Sequence, residues 1–245
     1  YSYSCMFRLN YLSQHYMNNK IKKNTFNEYF EEISSRLGVR KTSSKKIFNY
    51  LDNLPDPIII VETGCLRIKD NFEGDGQSTL LFDNYTQFRG NKSKVYTVDI
   101  NPVATKNCSE VVSKNVNITT GDSVGYLNEL TKKFYDQKIN VSLFYLDSFD
   151  LNWRAPEESS QHHLKELVSI KKILRKDTLV VVDDSPITGY LQESDIKKGN
   201  LDFVPIGLVP KPSISGKGSL VHQYAMHTGA KLLFSNYQTG WIGFN

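Results

Sequence analysis

Residues 94–123 read KVYTVDINPVATKNCSEVVSKNVNITTGDS. Lys94–Ile100 is a strand pattern that ends on an acid. Asn101 is a good N-cap and Pro102 sits at the first helical position, which predicts a helix to about Ser113. Val116–Thr120 is a second β-prone run, closed by Gly121, Asp122 and Ser123. Two strands joined through a helix are joined by a crossover, so they lie parallel.

The same alternation extends in both directions. Upstream, Ile58–Glu62 is a continuous apolar strand, and Ser78–Phe88 reads as a helix with Leu81, Tyr85 and Phe88 on one face. Downstream come a helix at Ser123–Tyr135, a strand at Ile139–Leu146, a helix at Glu157–Leu174 and a strand at Thr178–Val182. Strands that alternate with helices in this way predict a parallel sheet with helices on both faces. Ile58–Val61 and Leu179–Val182 are apolar throughout, as strands covered on both faces should be. A helix at Ser219–His227 is followed by two short strands, Lys231–Ser235 and Trp241–Phe244, around a turn at Gln238–Gly240. The expectation is an α/β, Rossmann-like fold with a mostly parallel seven-stranded sheet.

Residues 1–54 read as a helical cap ahead of the main domain, 55–245. Phe26, Tyr29, Phe30, Ile33 and Leu37 fall at helical spacing. Ile47, Tyr50, Leu51 and Leu54 suggest another helix, ended by Pro55 and Pro57. Residues 185–216 carry Gly, Pro and Ser with little periodicity and read as an acceptor-side loop over the carboxyl edge of the sheet.

With 245 residues, 39% of them hydrophobic, the chain can bury one large core. Its 23% charged and 12% aromatic residues exclude a wholly disordered chain. The net charge is +4, but 23 of the 30 cations are Lys and 7 are Arg. Arg supplies the bidentate contacts of nucleic-acid readers, so no nucleic-acid partner is expected. No apolar run approaches the roughly 20 residues that span a bilayer, so no membrane span is expected. Cys5, Cys65 and Cys108 form no CxxC pair, which argues against zinc and a disulfide framework. The sequons at Asn84, Asn91, Asn107, Asn117 and Asn140 are read as chance in an Asn-rich chain, and a cytoplasmic protein is expected. Residue 1 is Tyr rather than Met, which leaves open a longer parent chain. The N-terminal helices offer a face through which a homodimer could form.

Ligands of open α/β sheets bind at the carboxyl ends of the strands. There the first strand delivers Glu62, the second Asp99, the third Asp122, the fourth Asp147 and the fifth Asp183 and Asp184. So many acids on one edge point to a site that handles hydroxyls, cations or both. An acid after the second strand suits the ribose hydroxyls of a nucleoside. The first loop lacks G-x-G-x-x-G, and Glu62 would repel a pyrophosphate but suit a cationic amino-acid moiety. Three carboxylates at adjacent strand tips would repel one another without a cation, and oxygen-only ligands favour Mg²⁺, Mn²⁺ or Ca²⁺.

VETG (61–64), VYTVDINP (95–102), TTGDS (119–123), FYLDS (144–148) and VVVDDS (180–185) follow the order and spacing of S-adenosylmethionine-dependent methyltransferases with the Rossmann-like fold. The sequence resembles that family over about residues 55–185. Its catechol-type branch shares the D-I-N-P turn and strand-four Asp, and its macrocin-type sugar branch the strand-five Asp-Asp. The resemblance implies S-adenosylmethionine as cofactor. Glu62 and Gly64 would line its methionine part, Asp99 hold the ribose, Ile100 pack on adenine, and Asp122 and Ser123 border the adenine edge. Gly76, Ser78 and Asp147 would complete the cofactor site. Asp147, Asp183 and Asp184 would hold Mg²⁺, and the acceptor would be a hydroxyl of a small molecule or glycan, as in carbohydrate or polysaccharide biosynthesis.

The chain departs from that pattern in three places. Cys65–Glu73 is an insertion whose Arg67, Asp70 and Asn71 could touch ligand. The place of the catechol-type lysine base holds Asp150, so Asp150 or His163 is the candidate base. The stretch from Asp147 to Asp183 is long and carries Trp153 and the His162-His163 pair. Gly216-Lys217-Gly218 lacks the rest of a P-loop and reads as a flexible junction, with Lys217 free to reach an acidic substrate. Metal-independent methyl transfer and a non-catalytic binding module are the alternative readings.

Overall fold

A computed structural model of the chain describes residues 25–75, 77–90, 92–187 and 213–244. Among them lies a seven-stranded sheet in the order β3-β2-β1-β4-β5-β7-β6. Its strands are β1 (Ile59–Thr63), β2 (Lys94–Asp99), β3 (Val116–Thr120), β4 (Leu143–Leu146), β5 (Leu179–Val182), β6 (Lys231–Ser235) and β7 (Thr239–Ile242). The first five are mutually parallel, and β7 runs antiparallel to both β5 and β6. Strand order reverses between β1 and β4, which opens the crevice where α/β sheets bind ligands. The fold is the expected Rossmann-like α/β architecture.

The helices are α1 (Phe26–Ser34), α2 (Lys41–Leu51), α3 (Phe72–Asp75), α4 (Ser78–Arg89), α5 (Pro102–Ser109), α6 (Ser123–Gln137), α7 (Glu157–Ile170) and α8 (Ser219–Thr228). A 3₁₀ turn, Ser35–Arg40, joins α1 to α2. Strand residues alternate between two cores. Ile60, Leu143, Tyr145, Leu179 and Val181 face an aromatic layer from α1, α2 and α4 that includes Phe26, Phe30, Phe48, Phe82 and Tyr85. Ile59, Val61, Phe144, Leu146, Val180 and Val182 face α6, α7, Trp241 and Phe244. The described part of the N-terminal cap therefore shares the core of the sheet.

Capping side chains set the helix starts that aim at the carboxyl edge. Val103 N–H donates to Asn101 Oδ1 at 2.9 Å, and Gly125 N–H donates to Asp122 Oδ2 at 2.7 Å. Two boundaries differ from the sequence reading. β4 begins at Leu143 rather than Ile139, because Ile139 N–H closes the end of α6 on Phe134 O, with Lys138 left-handed between them. β7 begins at Thr239, and the turn falls at Asn236, whose N–H donates to Gln238 O. Gly240 is in the strand because the Phe234 ring lies over it; a Cβ there would sit 2.5 Å from the ring. Among the described residues no helix is long and apolar enough to cross a membrane.

Candidate functional site

Gly64 turns the chain out of β1 at φ 78°, and a Cβ on it would lie 2.4 Å from Asp147 O. Only glycine lets the β1 and β4 ends close up in this way. Beside it Cys65 N–H donates to Asp99 Oδ2 at 3.1 Å, while Asn101 N–H holds Asp99 Oδ1 at 2.8 Å. Both oxygens of Asp99 are thus oriented by backbone at the rim. Ile100 follows it with 73% of its surface exposed, an apolar side chain without apolar cover.

Glu62 is wholly buried. Thr79 Oγ1 donates to its Oε2 at 2.7 Å and itself accepts from Leu66 N–H at 3.0 Å. Oε1 has no hydrogen-bond partner among the described residues. Burial pushes the carboxyl up to about 7, against the nearby hydroxyls of Ser78, Thr79 and Thr97, which favour its charge. A buried carboxylate short of a donor suits a cationic ligand group, and a ligand reaching Oε1 must displace what covers it.

A floor of hydroxyls and one carboxylate lies under the β1–β4 crevice. Glu166, wholly buried on α7, accepts from Thr63 Oγ1 at 3.1 Å and from Ser148 Oγ at 2.6 Å. His162 Nε2 lies 2.9 Å from Ser123 Oγ and 3.5 Å from Glu166 Oε1. Burial would raise this carboxyl, but hydrogen bonds from His162, Ser123 and Ser148 and the nearby His163 overcome it and hold it below the usual range. Sequence reading missed Glu166. Its signal was an acid at an apolar helix position, in the stripe His163, Glu166, Leu167, Ile170. The same floor takes up Ser123, expected at the adenine edge. Asp122 remains exposed, with Oδ2 engaged in capping α6.

At the β4 and β5 ends, one oxygen from each of Asp147, Asp183 and Asp184 falls within 4.8 Å of the others, the convergence expected of the three. Two cations that sequence reading did not place here hold them. Lys217 Nζ pairs with Asp147 Oδ1 in a short contact and with Asp184 Oδ2 at 3.0 Å. Arg40, from the N-terminal cap, pairs through Nε with Asp183 Oδ2 at 2.9 Å and through Nη2 with Asp184 Oδ1 at 3.3 Å. Asp183 Oδ1 accepts from Asp184 N–H at 2.8 Å. Burial alone would lower the Lys217 ammonium; the carboxylates of Asp147, Asp184 and Asp183 overcome it and hold it well above the ordinary lysine value. Burial likewise would raise Asp184, but Lys217 and Arg40 hold it at about 2.

Lys217 is therefore not free to reach a substrate. Its flanking glycines are packing devices: a Cβ on Gly216 would lie 2.1 Å from Asp184 O, and one on Gly218 2.5 Å from Ser185 Oγ. Lys217 N–H donates to Asp184 O at 3.1 Å.

The two candidate bases differ. Asp150 is 83% exposed at the rim, with Oδ1 held by Arg67 Nη1 at 2.8 Å. His163 is wholly buried, and its ring is pushed down to about 4 mainly by burial. Its Nδ1 lies 2.7 Å from Ser159 O, the geometry of a donated hydrogen bond, and Nε2 has no hydrogen-bond partner among the described residues, lying 4.0 Å from Glu166 Oε2. The insertion is largely self-bound: Arg67 Nε meets Asp75 Oδ1 at 3.1 Å, Asp70 pairs with Arg36 at 2.6 Å, and Asn71 Oδ1 accepts from Gly74 N–H. Gly76, Cys5 and most of the 185–216 loop lie outside the described residues.

No protein-family model matches the sequence, and no curated protein matches it. Solved structures with a similar fold include an O-methyltransferase family protein from Burkholderia thailandensis. It is 6% identical, with a TM-score of 0.44 over 96% of this chain and 69% of that one. A ribosomal RNA methyltransferase from Plasmodium falciparum is 12% identical, with a TM-score of 0.40 over 84% and 96%. A pericyclic reaction enzyme is 10% identical, with a TM-score of 0.46 over 80% and 46%. At such scores the likeness says nothing of chemistry.

Proposed function

We propose that this chain is an S-adenosylmethionine-dependent O-methyltransferase acting on a hydroxyl of a sugar, glycan or similarly polar small molecule. The observation that carries the reading is Glu62 Oε1, a buried acceptor that makes no hydrogen bond among the described residues although the Ser78 and Thr97 hydroxyls lie near its carboxylate, on the strand beside the point where the strand order reverses. The α-ammonium of the methionine moiety fits it. Asp99, oriented by two backbone N–H groups, suits the ribose hydroxyls, and exposed Ile100 suits the adenine face. Gly64 keeps the β1 and β4 ends close enough for one ligand to touch both.

When bound, this cofactor supplies a methyl group on a sulfonium. The chain's part is to hold the acceptor oxygen in line with it, which is mostly a matter of proximity and orientation. The S–C bond breaks as the O–C bond forms, and the hydroxyl proton leaves to a base. Asp150, at the open rim, is better placed for that proton than sealed His163.

Asp147, Asp183 and Asp184 have the donor chemistry of a hard-cation site. Mg²⁺ does not fit among them while Lys217 and Arg40 hold their oxygens, and that observation favours metal-independent transfer. A thermal-shift comparison of S-adenosylmethionine, S-adenosylhomocysteine and NAD tests the main reading. Stabilisation by the two adenosyl sulfur compounds is expected. Stabilisation by NAD alone overturns it.

A further inference from the structure

Three carboxylates that converge at strand tips need positive charge between them, and the chain carries it itself. Asp147 and Asp184 close on the Lys217 ammonium, and Asp183 and Asp184 close on the Arg40 guanidinium. Lys217 is 3% exposed and Arg40 11%, so water screens neither pair effectively. The lysine is also built in by its backbone. The glycines on either side have no room for a Cβ against Asp184 O and Ser185 Oγ, and Lys217 N–H is bonded to Asp184 O. A loop merely passing the acids would need neither glycine.

We propose that Lys217 is a built-in counter-ion that occupies the place of a divalent cation, and that removing it turns the acid trio into a site for one. The proposal deepens the metal-independent reading of the acceptor side. Arg40 serves as the second counter-ion and stays in place when Lys217 is lost. With Lys217 present, the oxygens of Asp147 and Asp184 that would coordinate an ion accept from its ammonium, and the like charges of ion and ammonium repel. Without it, hard oxygen donors that lie within 4.8 Å of one another carry a net charge more negative by one, which favours Mn²⁺ or Mg²⁺.

The test is a Mn²⁺ titration of the full chain followed by the loss of the free-ion paramagnetic resonance signal. It compares the wild type, Lys217→Met and Lys217→Arg, each checked for folding by near-ultraviolet circular dichroism. The expected result is no stoichiometric binding by the wild type or Lys217→Arg, and one site in Lys217→Met that is tighter by about tenfold or more. Should Lys217→Met fail to fold, Lys217→Gln replaces it. Stoichiometric binding by the wild type overturns the proposal. So does the failure of a folded lysine-free variant to bind. No cofactor or acceptor is present in this titration, so its failure leaves methyl transfer standing, and an inactive protein leaves this result standing.

Discussion

The carboxyl rim holds acids in two opposite conditions. On the β1–β2 side, Glu62 is wholly buried and, among the described residues, has no cation paired with it and one oxygen without a hydrogen bond. On the β4–β5 side, Asp147, Asp183 and Asp184 are tied to Lys217 and Arg40. Burial drives Glu62 up to about 7, and the two cations hold Asp184 at about 2; burial, with the neighbouring Asp183 and Asp184, still pushes Asp147 well up in spite of Lys217. Glu166 sharpens the contrast. It is as deeply buried as Glu62, yet the hydrogen bonds on it hold its carboxyl down. An acid at a strand end is thus informative only through its partners. The paired acids are engaged by cations inside the fold, and the acid short of a donor keeps acceptor capacity that a ligand could use once its cover is displaced.

The largest effect is expected where a satisfied acid is removed. Asp183→Ala leaves Arg40 buried beside a lost partner and should cost about 3–5 kcal/mol of folding stability, measured by urea unfolding. A cost within that of an ordinary surface pair would erase the distinction between the two sides.

Next comes the pH dependence of the ligand-free protein. The Glu62 carboxyl sits at about 7 in the fold against an ordinary 4.5, so its contribution is fully present below 4.5 and is lost as pH rises through 7. A shift of that size is worth on the order of 3 kcal/mol. Urea unfolding between about pH 5 and about pH 8 should show the decline, and Glu62→Gln should remove that component. An unchanged slope in the variant would mean that Glu62 is not the unsatisfied acid.

The smallest effect is expected at the rim. Asp150→Ala removes an ion pair whose partners are 49% and 83% exposed, and stability should change by less than about 1 kcal/mol. Methyl transfer, in contrast, should fall sharply with cofactor affinity unchanged if Asp150 takes the proton. Full turnover in this variant would remove it from that role.

The local parts of this structure were legible in the sequence. Asn101-Pro102 and Asp122 start their helices as their types dictate, and the runs that became β1 and β5 announced strands covered on both faces. The convergence of Asp147, Asp183 and Asp184 followed from parallel strands that end on one edge. Their counter-ions did not follow. Arg40 meets Asp183 across 143 positions and Lys217 meets Asp147 across 70, and no local pattern encodes such a meeting. The glycines beside Lys217 read as flexibility, though each is placed by close packing that only the folded chain reveals. Gly240 misled in the same way, suggesting a turn where the Phe234 ring needed room. Glu166 left a weak trace, an acid in an apolar stripe, whose meaning depends on Thr63 at the end of β1 and Ser148 just after β4.

The most direct test of a cofactor pocket on the unsatisfied side is a calorimetric titration with S-adenosylhomocysteine, made at a pH above 7 on the wild type and on Glu62→Gln. One-to-one binding is expected in the wild type. Glu62→Gln should weaken it by about ten- to a hundredfold, the worth of one charged hydrogen bond. No binding by the wild type, or equal binding by both proteins, would contradict the role given to Glu62.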